Sequence, residues 1–208
     1  MNNWLRRMTW FNSNDYGSLT QDERYHNAQN VYYFFKTLWG WRTEAIAALA
    51  GNMEAESWLS PTQWQGGDAW SGGLGLLQWT PYTLLTDWAQ DNGLDPFDGL
   101  TQLKRLVYEY QNGLEYYQTP LFPYPPYTWY QFAHTDIGSD GNYITVEQAT
   151  EAFVWCYLRP ADPSATMANR KSAANKYFDY FQTLPPNPPG YIPYWLLFKM
   201  RKGGLSNQ

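Results

Sequence analysis

Cysteine and histidine are scarce in this chain of 208 residues, which has one Cys and two His. Because a disulfide needs two thiols, Cys156 cannot form one within the chain, and the fold does not depend on oxidising conditions. His26 and His134, without a cysteine pair beside them, argue against a zinc site. We therefore expect no metal and no other cofactor.

Long apolar runs and an excess of basic residues are also missing. No run reaches the roughly 18 apolar residues that a membrane-spanning helix needs. Residues 1–7 lack the apolar stretch of a secretory signal, so a target outside the cell would have to be reached by another route. The chain has 14 Lys and Arg against 19 Asp and Glu, a net charge of -5. This balance argues against a nucleic acid as the main ligand.

Aromatic residues, by contrast, are abundant. They make up 19% of the chain, with 12 Trp and 18 Tyr. A chain of this length has room for one good core, and that core does not need so many rings. Many of them must be partly exposed, which is usual for proteins that stack on sugars or bind a partner.

The hydrophobic pattern predicts a mainly α fold. Capping boxes at Thr20 and Thr145 mark two helix starts, and glycines or prolines mark most helix ends. The predicted helices run from Thr20 to Gly40, from Thr43 to about residue 57, from Thr80-Pro81 to Gly93, over 97–112, from Thr145 to before Pro160, and over 164–183. A short hairpin is predicted near 136–144, and residues 58–79 form a loop rich in Gly and Trp.

The chain divides into three predicted parts. Residues 1–19 are polar and aromatic without periodicity and are interpreted as an arm. Residues 20–184 form the helical domain. Residues 185–208 begin with four prolines, which predict a stiff spacer, and end in an apolar and then basic tail. That tail is suited to docking in a partner's groove, to folding back on its own domain, or to contact with an anionic membrane surface.

One carboxylate stands out at the end of the second predicted helix, where residues 51–57 read GNMEAES. At about 100° per residue, Glu56 lies close to the apolar stripe of this helix, whereas Glu54 points towards water. A carboxyl group beside apolar surface can keep its proton near neutral pH, because desolvation penalises the charged form. Such a group is what a general acid for glycosidic cleavage needs. A helix-end glutamate is also an ordinary surface residue, so the pattern alone leaves catalysis open.

The loop that follows is suited to sugars. Its glycines allow close approach of the backbone to a polysaccharide. Trp64, Trp70 and Trp79 are candidates for stacking on sugar rings, although each could equally belong to the core. A phosphate-binding loop is not indicated, because no Gly-Lys-Ser/Thr follows the glycines and no strand precedes them.

The ordered set of motifs resembles the phage tail lysozymes, which are related to goose-type lysozyme and the soluble lytic transglycosylases. It comprises residues 51–57, the run WQGG at 64–67, the run GLLQWT at 75–80, the run YLRP at 157–160, and Arg170. The resemblance covers about residues 20–182. It implies a lysozyme-like helical domain whose Gly- and Trp-rich loop forms part of the active site.

The resemblance also implies roles for individual residues. Glu56 matches the family's general acid, and Ser57 matches a serine that hydrogen-bonds near the cleft. Gly75 and Gln78 would line the groove for the sugar chain. Tyr157 resembles a tyrosine placed near the acid, with a core tyrosine as the equal alternative.

The second catalytic group is less defined. Asp68 is the candidate for a residue that positions water or stabilises positive charge. The alternative is that Asp68 only forms a turn. If no second carboxylate takes part, the acetamido group or 6-hydroxyl of the substrate could take over. The sequence does not separate hydrolysis from this anhydro-forming route.

The function implied is cleavage of the glycan strands of bacterial peptidoglycan by a protein carried at the tail tip of a phage, during infection. In this interpretation residues 185–208 dock on other phage tail proteins, and membrane contact by the tail is the lesser alternative. Two other functions stay open: an endolysin for host lysis with the same chemistry, and a non-catalytic sugar-binding or structural tail protein on the same fold.

Overall fold

The structure, a computed structural model, describes residues 4–67, 70, 72–120, 122, 128–135, 144–189 and 191. These residues are mainly helical, as predicted. The α-helices are α1 Gln21–Tyr33, α2 Thr43–Ser57, α3 Thr83–Asp91, α4 Gly99–Asn112, α5 Trp129–His134, α6 Val146–Phe153 and α7 Met167–Gln182. Two π-helical segments, Phe34–Trp39 and Val154–Leu158, extend α1 and α6, and two 3-10 turns lie at Leu5–Arg7 and Gln65–Gly67. The β pairing within the described residues is limited to isolated bridges, such as those joining Leu74 to Trp64 and to Trp79.

Several predicted helix ends are confirmed. The side chain of Thr20 caps α1 and that of Thr145 caps α6, each in a full capping box with the residue three positions on. Gly40 and Gly113 adopt left-handed conformations, with φ of 65° and 63°, at the ends of the π-helical extension of α1 and of α4. Glycine suits these positions because it has no Cβ to clash there.

Other boundaries differ from the prediction. The N-cap of α2 is Arg42 rather than Thr43, which is the first helical residue. The helix predicted from Thr80-Pro81 begins only at Thr83, because residues 80–82 form a turn in which the Tyr82 amide donates to the Gly72 carbonyl. The short helix α5 has too few residues to show a periodic pattern and was not predicted. Residues 136–143 of the predicted hairpin lie outside the described residues.

Helix α2 is the centre of the domain. Every residue from Ala45 to Met53 is buried, so α2 has a core on all sides rather than the single apolar stripe that the sequence predicted. Its small residues allow α7 to approach very closely. A Cβ atom added to Gly51 would lie 2.6–2.8 Å from backbone and side-chain atoms of Ala174. This contact fixes the last turn of α2 against α7.

Both ends of the described chain lie against the domain. Trp4 and Leu19 are buried, so the predicted arm is anchored to the domain at both ends of its described part. Near the other end, the Tyr33 hydroxyl donates to the carbonyl of Pro185 at 3.1 Å, and Pro188 is buried. The spacer and tail stay a prediction, since residues 192–208 lie outside the described residues. No helix in the described part of the chain is long and apolar enough to cross a membrane.

Candidate active site

A cleft of about 850 Å³ opens beside the C-terminal end of α2. Parts of the chain that are distant in sequence form its walls. They are residues 14–16, Glu56, residues 63–66, residues 77–80, Leu84, Glu115 and residues 157–161. The end of α2, the Gly- and Trp-rich loop and the YLRP run therefore meet in one place.

Glu56, the next-to-last residue of α2, lies at this cleft with its side chain 19% exposed. Its Oε1 atom accepts a hydrogen bond of 2.7 Å from Nη2 of Arg170 on α7. Arg170 is buried, and its other nitrogens donate to Oδ1 of Asn52 at 3.1 Å and to Oγ1 of Thr166 at 2.8 Å. These bonds fix the carboxylate in orientation. Among the described residues, Oε2 of Glu56 accepts no hydrogen bond.

The surroundings of Glu56 are only partly those that the sequence indicated. The side chain is largely buried, as predicted, but its nearest partner is a guanidinium group rather than apolar surface. Arg170 therefore holds the carboxylate through Oε1, while Oε2 has no hydrogen-bond partner in the described residues.

The prediction that Glu54 points towards water was wrong. Its side chain is 16% exposed, and it accepts hydrogen bonds from Nζ of Lys176 at 3.1 Å and from the hydroxyl of Tyr177. Arg24 of α1 lies 3.8 Å from its Oε1. Burial, with a further contribution from Glu54, raises the pKa of Tyr177 above its ordinary value. Because α1 and α7 cover α2 on this side, Glu54 belongs to an internal network and does not line the cleft.

Ser57 and Gly75 are not among the residues that line the cleft, and their roles in substrate binding stay predictions. Ser57 is fully buried, and its hydroxyl lies 3.0 Å from the Met53 carbonyl and 3.2 Å from the Leu76 carbonyl. Gly75 is also buried, and a Cβ there would lie 2.5–2.7 Å from the amide of Gln102. Ser57 thus ties the loop to the end of α2, and Gly75 lets the loop lie close to Gln102 of α4.

Gln78, Trp64, Trp79 and Tyr157 do line the cleft. Nε2 of Gln78 donates to two carbonyls of its own loop, at 2.9 and 3.1 Å, which leaves its Oε1 for other partners. Because the two tryptophans and Tyr157 are buried, each exposes only a ring edge or a small part of a ring face to the cleft. Trp70, which is not among the residues that line the cleft, is 63% exposed and packs on Trp64 with ring centroids 5.3 Å apart.

Beneath the cleft lies a buried carboxylate that the sequence reasoning missed, Glu109 of α4. It accepts hydrogen bonds from the Tyr157 hydroxyl at 2.5 Å, from Nε1 of Trp79 at 2.9 Å and from Nε of Arg105 at 2.8 Å. Burial raises the pKa of Glu109 above its ordinary value, while Tyr157, Arg105 and Trp79 act in the opposite direction. Glu109 thereby joins the loop wall of the cleft to the π-helical segment Val154–Leu158.

The second catalytic group stays a prediction, since Asp68 lies outside the described residues. Two other carboxylates line the cleft, Asp15 and Glu115. Glu115 is 2.9 Å from Nη2 of Arg159, in a pair with both side chains more than a third exposed. Neither residue was singled out from the sequence, because isolated acids outside a motif carry no pattern.

A helical domain with a carboxylate at the end of its central helix, facing a cleft, has a lysozyme-like architecture. The chain belongs to the phage tail lysozyme family, whose sequence model matches residues 26–181. It is also 30% identical over 148 residues to "Morphogenesis protein 1" of Bacillus phage B103. That match covers 70% of this chain and 37% of the relative, so the chain spans much less than the relative's full length. The predicted family and fold class are thus confirmed, while the roles of single residues stay predictions.

Proposed function

We propose that this protein is a lysozyme of the phage particle that cleaves the glycan strands of bacterial peptidoglycan during infection, with Glu56 as general acid. The observation that carries the proposal is the placement of Glu56 at the cleft, with one oxygen held by Arg170. Membership of the phage tail lysozyme family supports the substrate. The name of the phage B103 relative, a morphogenesis protein, supports a place in the particle.

The proposed chemistry uses the two oxygens of Glu56 differently. Arg170 holds Oε1, so the proton to be transferred resides on Oε2 when the substrate is bound and water is excluded from the cleft. Transfer of this proton to the bridging oxygen breaks the glycosidic bond as an oxocarbenium-like centre develops. Arg170 then stabilises the carboxylate that remains.

The positive centre needs a second group. Asp68 is our candidate for activating water, which would give a reducing end on hydrolysis. The alternatives to Asp68 are groups of the substrate itself. The acetamido group can stabilise the positive centre, and attack of the 6-hydroxyl on that centre gives an anhydro end.

Product analysis tests the reaction class. We expect the protein to solubilise purified peptidoglycan and to release fragments with new sugar ends, since Glu56 is placed to protonate a glycosidic oxygen. Mass spectrometry of the fragments separates reducing ends from anhydro ends, which are lighter by one water. New peptide amino groups without new sugar ends would contradict the proposal, and binding without any release would favour the non-catalytic alternative.

The place of action during infection is a separate part of the proposal. We propose that residues 192–208, within the predicted docking segment 185–208, dock on other phage tail proteins, because Pro185 is hydrogen-bonded to Tyr33 and Pro188 is buried in the domain. The apolar and then basic character of the tail supports docking in a partner's groove.

A truncation tests this docking. Removing residues 192–208 should leave cleavage of purified peptidoglycan unchanged and should abolish incorporation into phage particles, as measured by immunoblotting of purified particles. The full chain is the control. Incorporation of the truncated protein would contradict the docking role, and absence of the full chain from particles would favour an endolysin.

A further inference from the structure

The N-terminal segment, residues 11–18, precedes the part of the chain that the family model matches, which begins at residue 26. Three sets of hydrogen bonds fix it to α1 and to the end of α2. The backbone of Phe11 is paired with the side chain of Asn27 at 3.0 and 2.8 Å. The backbone of Ser13 is paired with the hydroxyl of Ser60 at 2.9 and 2.7 Å. These hydrogen bonds fix the segment against the domain.

Tyr16 provides the third anchor. Its hydroxyl donates to the carbonyl of Ala55 at 3.0 Å, one of the last carbonyls of α2, which have no partner inside the helix. Its ring meets Trp58 edge-on, with centroids 5.7 Å apart, and Arg24 covers Trp58 at 4.0 Å. The ring is therefore fixed in place, yet it remains 58% exposed at the cleft.

The N-terminal segment also links two depressions of the surface. The first is the 850 Å³ cleft that holds Glu56, and the second is a neighbouring hollow of about 500 Å³. Asn14 and Trp64 line both of them. Asn12 lines the second hollow only, and Tyr16 lines the cleft only. The two depressions therefore adjoin at Asn14 and Trp64; together they are called the groove, and residues 12–16 line it.

The chemistry of this side matches a sugar chain. Asn12 and Asn14 carry amides that can both donate and accept hydrogen bonds, as hydroxyl and acetamido groups require. Tyr16 offers an exposed ring with an apolar body, which suits the flat face of a sugar. Asp15, also at the cleft, adds acceptor oxygens. A groove longer than the cleft around Glu56 fits a polymer rather than a small sugar.

We infer that residues 12–16 form additional sugar subsites, which hold the glycan strand on one side of the bond that is cut. The inference rests on the proposed function, because it takes the glycan strand as the occupant of the groove. It assigns Asn14 and Tyr16 to substrate binding, with Asn14 at the junction of the two depressions.

Binding measurements in the Glu56→Gln background, in which we expect cleavage of the strand to be strongly slowed, test the inference. The probes are peptide-free glycan strands and a disaccharide of the same sugars, measured by calorimetry. Tyr16→Ala and Asn14→Ala should each weaken binding of long strands about tenfold, the loss that corresponds to about 1.4 kcal/mol. Tyr16→Phe, which keeps the ring, should bind nearly as tightly as the parent. The disaccharide, which is too short to need these subsites, should show no difference between variants.

Tyr130→Ala is the matched control, because Tyr130 is 65% exposed and does not line either depression. Melting temperatures identify any variant that fails to fold. Asn14→Ala tests the groove and leaves the hydrogen bond between Tyr16 and Ala55 intact. Binding of long strands by Tyr16→Ala and Asn14→Ala as tight as that of Tyr130→Ala overturns the inference, as does an equal loss for the disaccharide. If the parent Glu56→Gln binds no glycan at all, the proposed function fails together with the inference.

Discussion

Replacing Glu56 by glutamine should slow cleavage of peptidoglycan by about 10²–10⁴-fold, the contribution typical of general acid catalysis. Glutamine has the shape of glutamate but no acidic proton. Its amide oxygen can still accept the hydrogen bond that Arg170 donates to Oε1. The fold and the binding of glycan should therefore survive while proton transfer is lost. The measurement is the initial rate of turbidity loss in a suspension of purified cell walls.

Glu54→Gln is the matched control, since it makes the same chemical change two residues away on the same helix. Glu54 interacts with Lys176 and Tyr177 and does not line the cleft. We expect this variant to lose some thermal stability and to keep most of its activity per folded molecule. Equal cleavage rates for the wild type and for Glu56→Gln would show that Glu56 is not the general acid. A large loss of activity in Glu54→Gln alone would assign the role of general acid to Glu54.

The helices could be predicted largely from the sequence because their signals are local. A capping box needs only residues three positions apart, which is why Thr20 and Thr145 were recognised correctly. The start of α3 was placed too early because Thr80 and Pro81 are also compatible with a turn, and the turn is fixed by a contact between Tyr82 and Gly72 that the local pattern does not contain.

The surroundings of the two competing glutamates could not be predicted in the same way. Arg170 is 114 positions from Glu56, and Tyr177 is 123 positions from Glu54. Both contacts arise because α7 packs on the glycine at position 51, so they depend on the tertiary fold. A helical-wheel argument describes one helix in isolation. It therefore placed Glu56 correctly at a partly buried position, but it left Glu54 in water.

The attachment of the N-terminal segment to the domain has a signal in the sequence that the interpretation as an arm did not use. Residues 4–16 contain Trp4, Trp10, Phe11 and Tyr16, and a free arm would leave all four rings in water. Burial of aromatic surface contributes about 25 cal/mol per Å², so such a segment gains by packing on the domain. Lack of periodicity indicated only that the segment is not a helix. It did not indicate that the segment is unattached.

Replacing Glu109 by alanine should destabilise the fold by about 3–5 kcal/mol, the usual cost of removing one partner of a buried ion pair. Arg105 would keep its charge in a buried position, and the donors of Trp79 and Tyr157 would lose their acceptor. Since those two residues line the cleft, activity should fall as well. Urea unfolding followed by circular dichroism gives the free energy of unfolding.

Glu115→Ala is the control for this stability measurement. Glu115 is also paired with an arginine, Arg159, but the two side chains are 37% and 42% exposed. Exposed pairs contribute only about 0–1 kcal/mol, because water and salt screen the charges. A similar loss of stability in both variants would show that burial does not increase the contribution of the Glu109 pair to the free energy of unfolding.

Glu109→Gln tests the charge of this group through the pH dependence of stability. Because burial raises the pKa of Glu109 above its ordinary 4.5, the folded protein holds this proton more tightly than the unfolded chain. The resulting stabilisation is complete below the unfolded pKa and is lost as the pH rises through the folded pKa. Glutamine does not titrate, so the stability advantage of the wild type over Glu109→Gln should shrink as the pH rises above the ordinary pKa of 4.5. An advantage that grows over this range would mean that Tyr157, Arg105 and Trp79 outweigh burial and hold the carboxylate ionised.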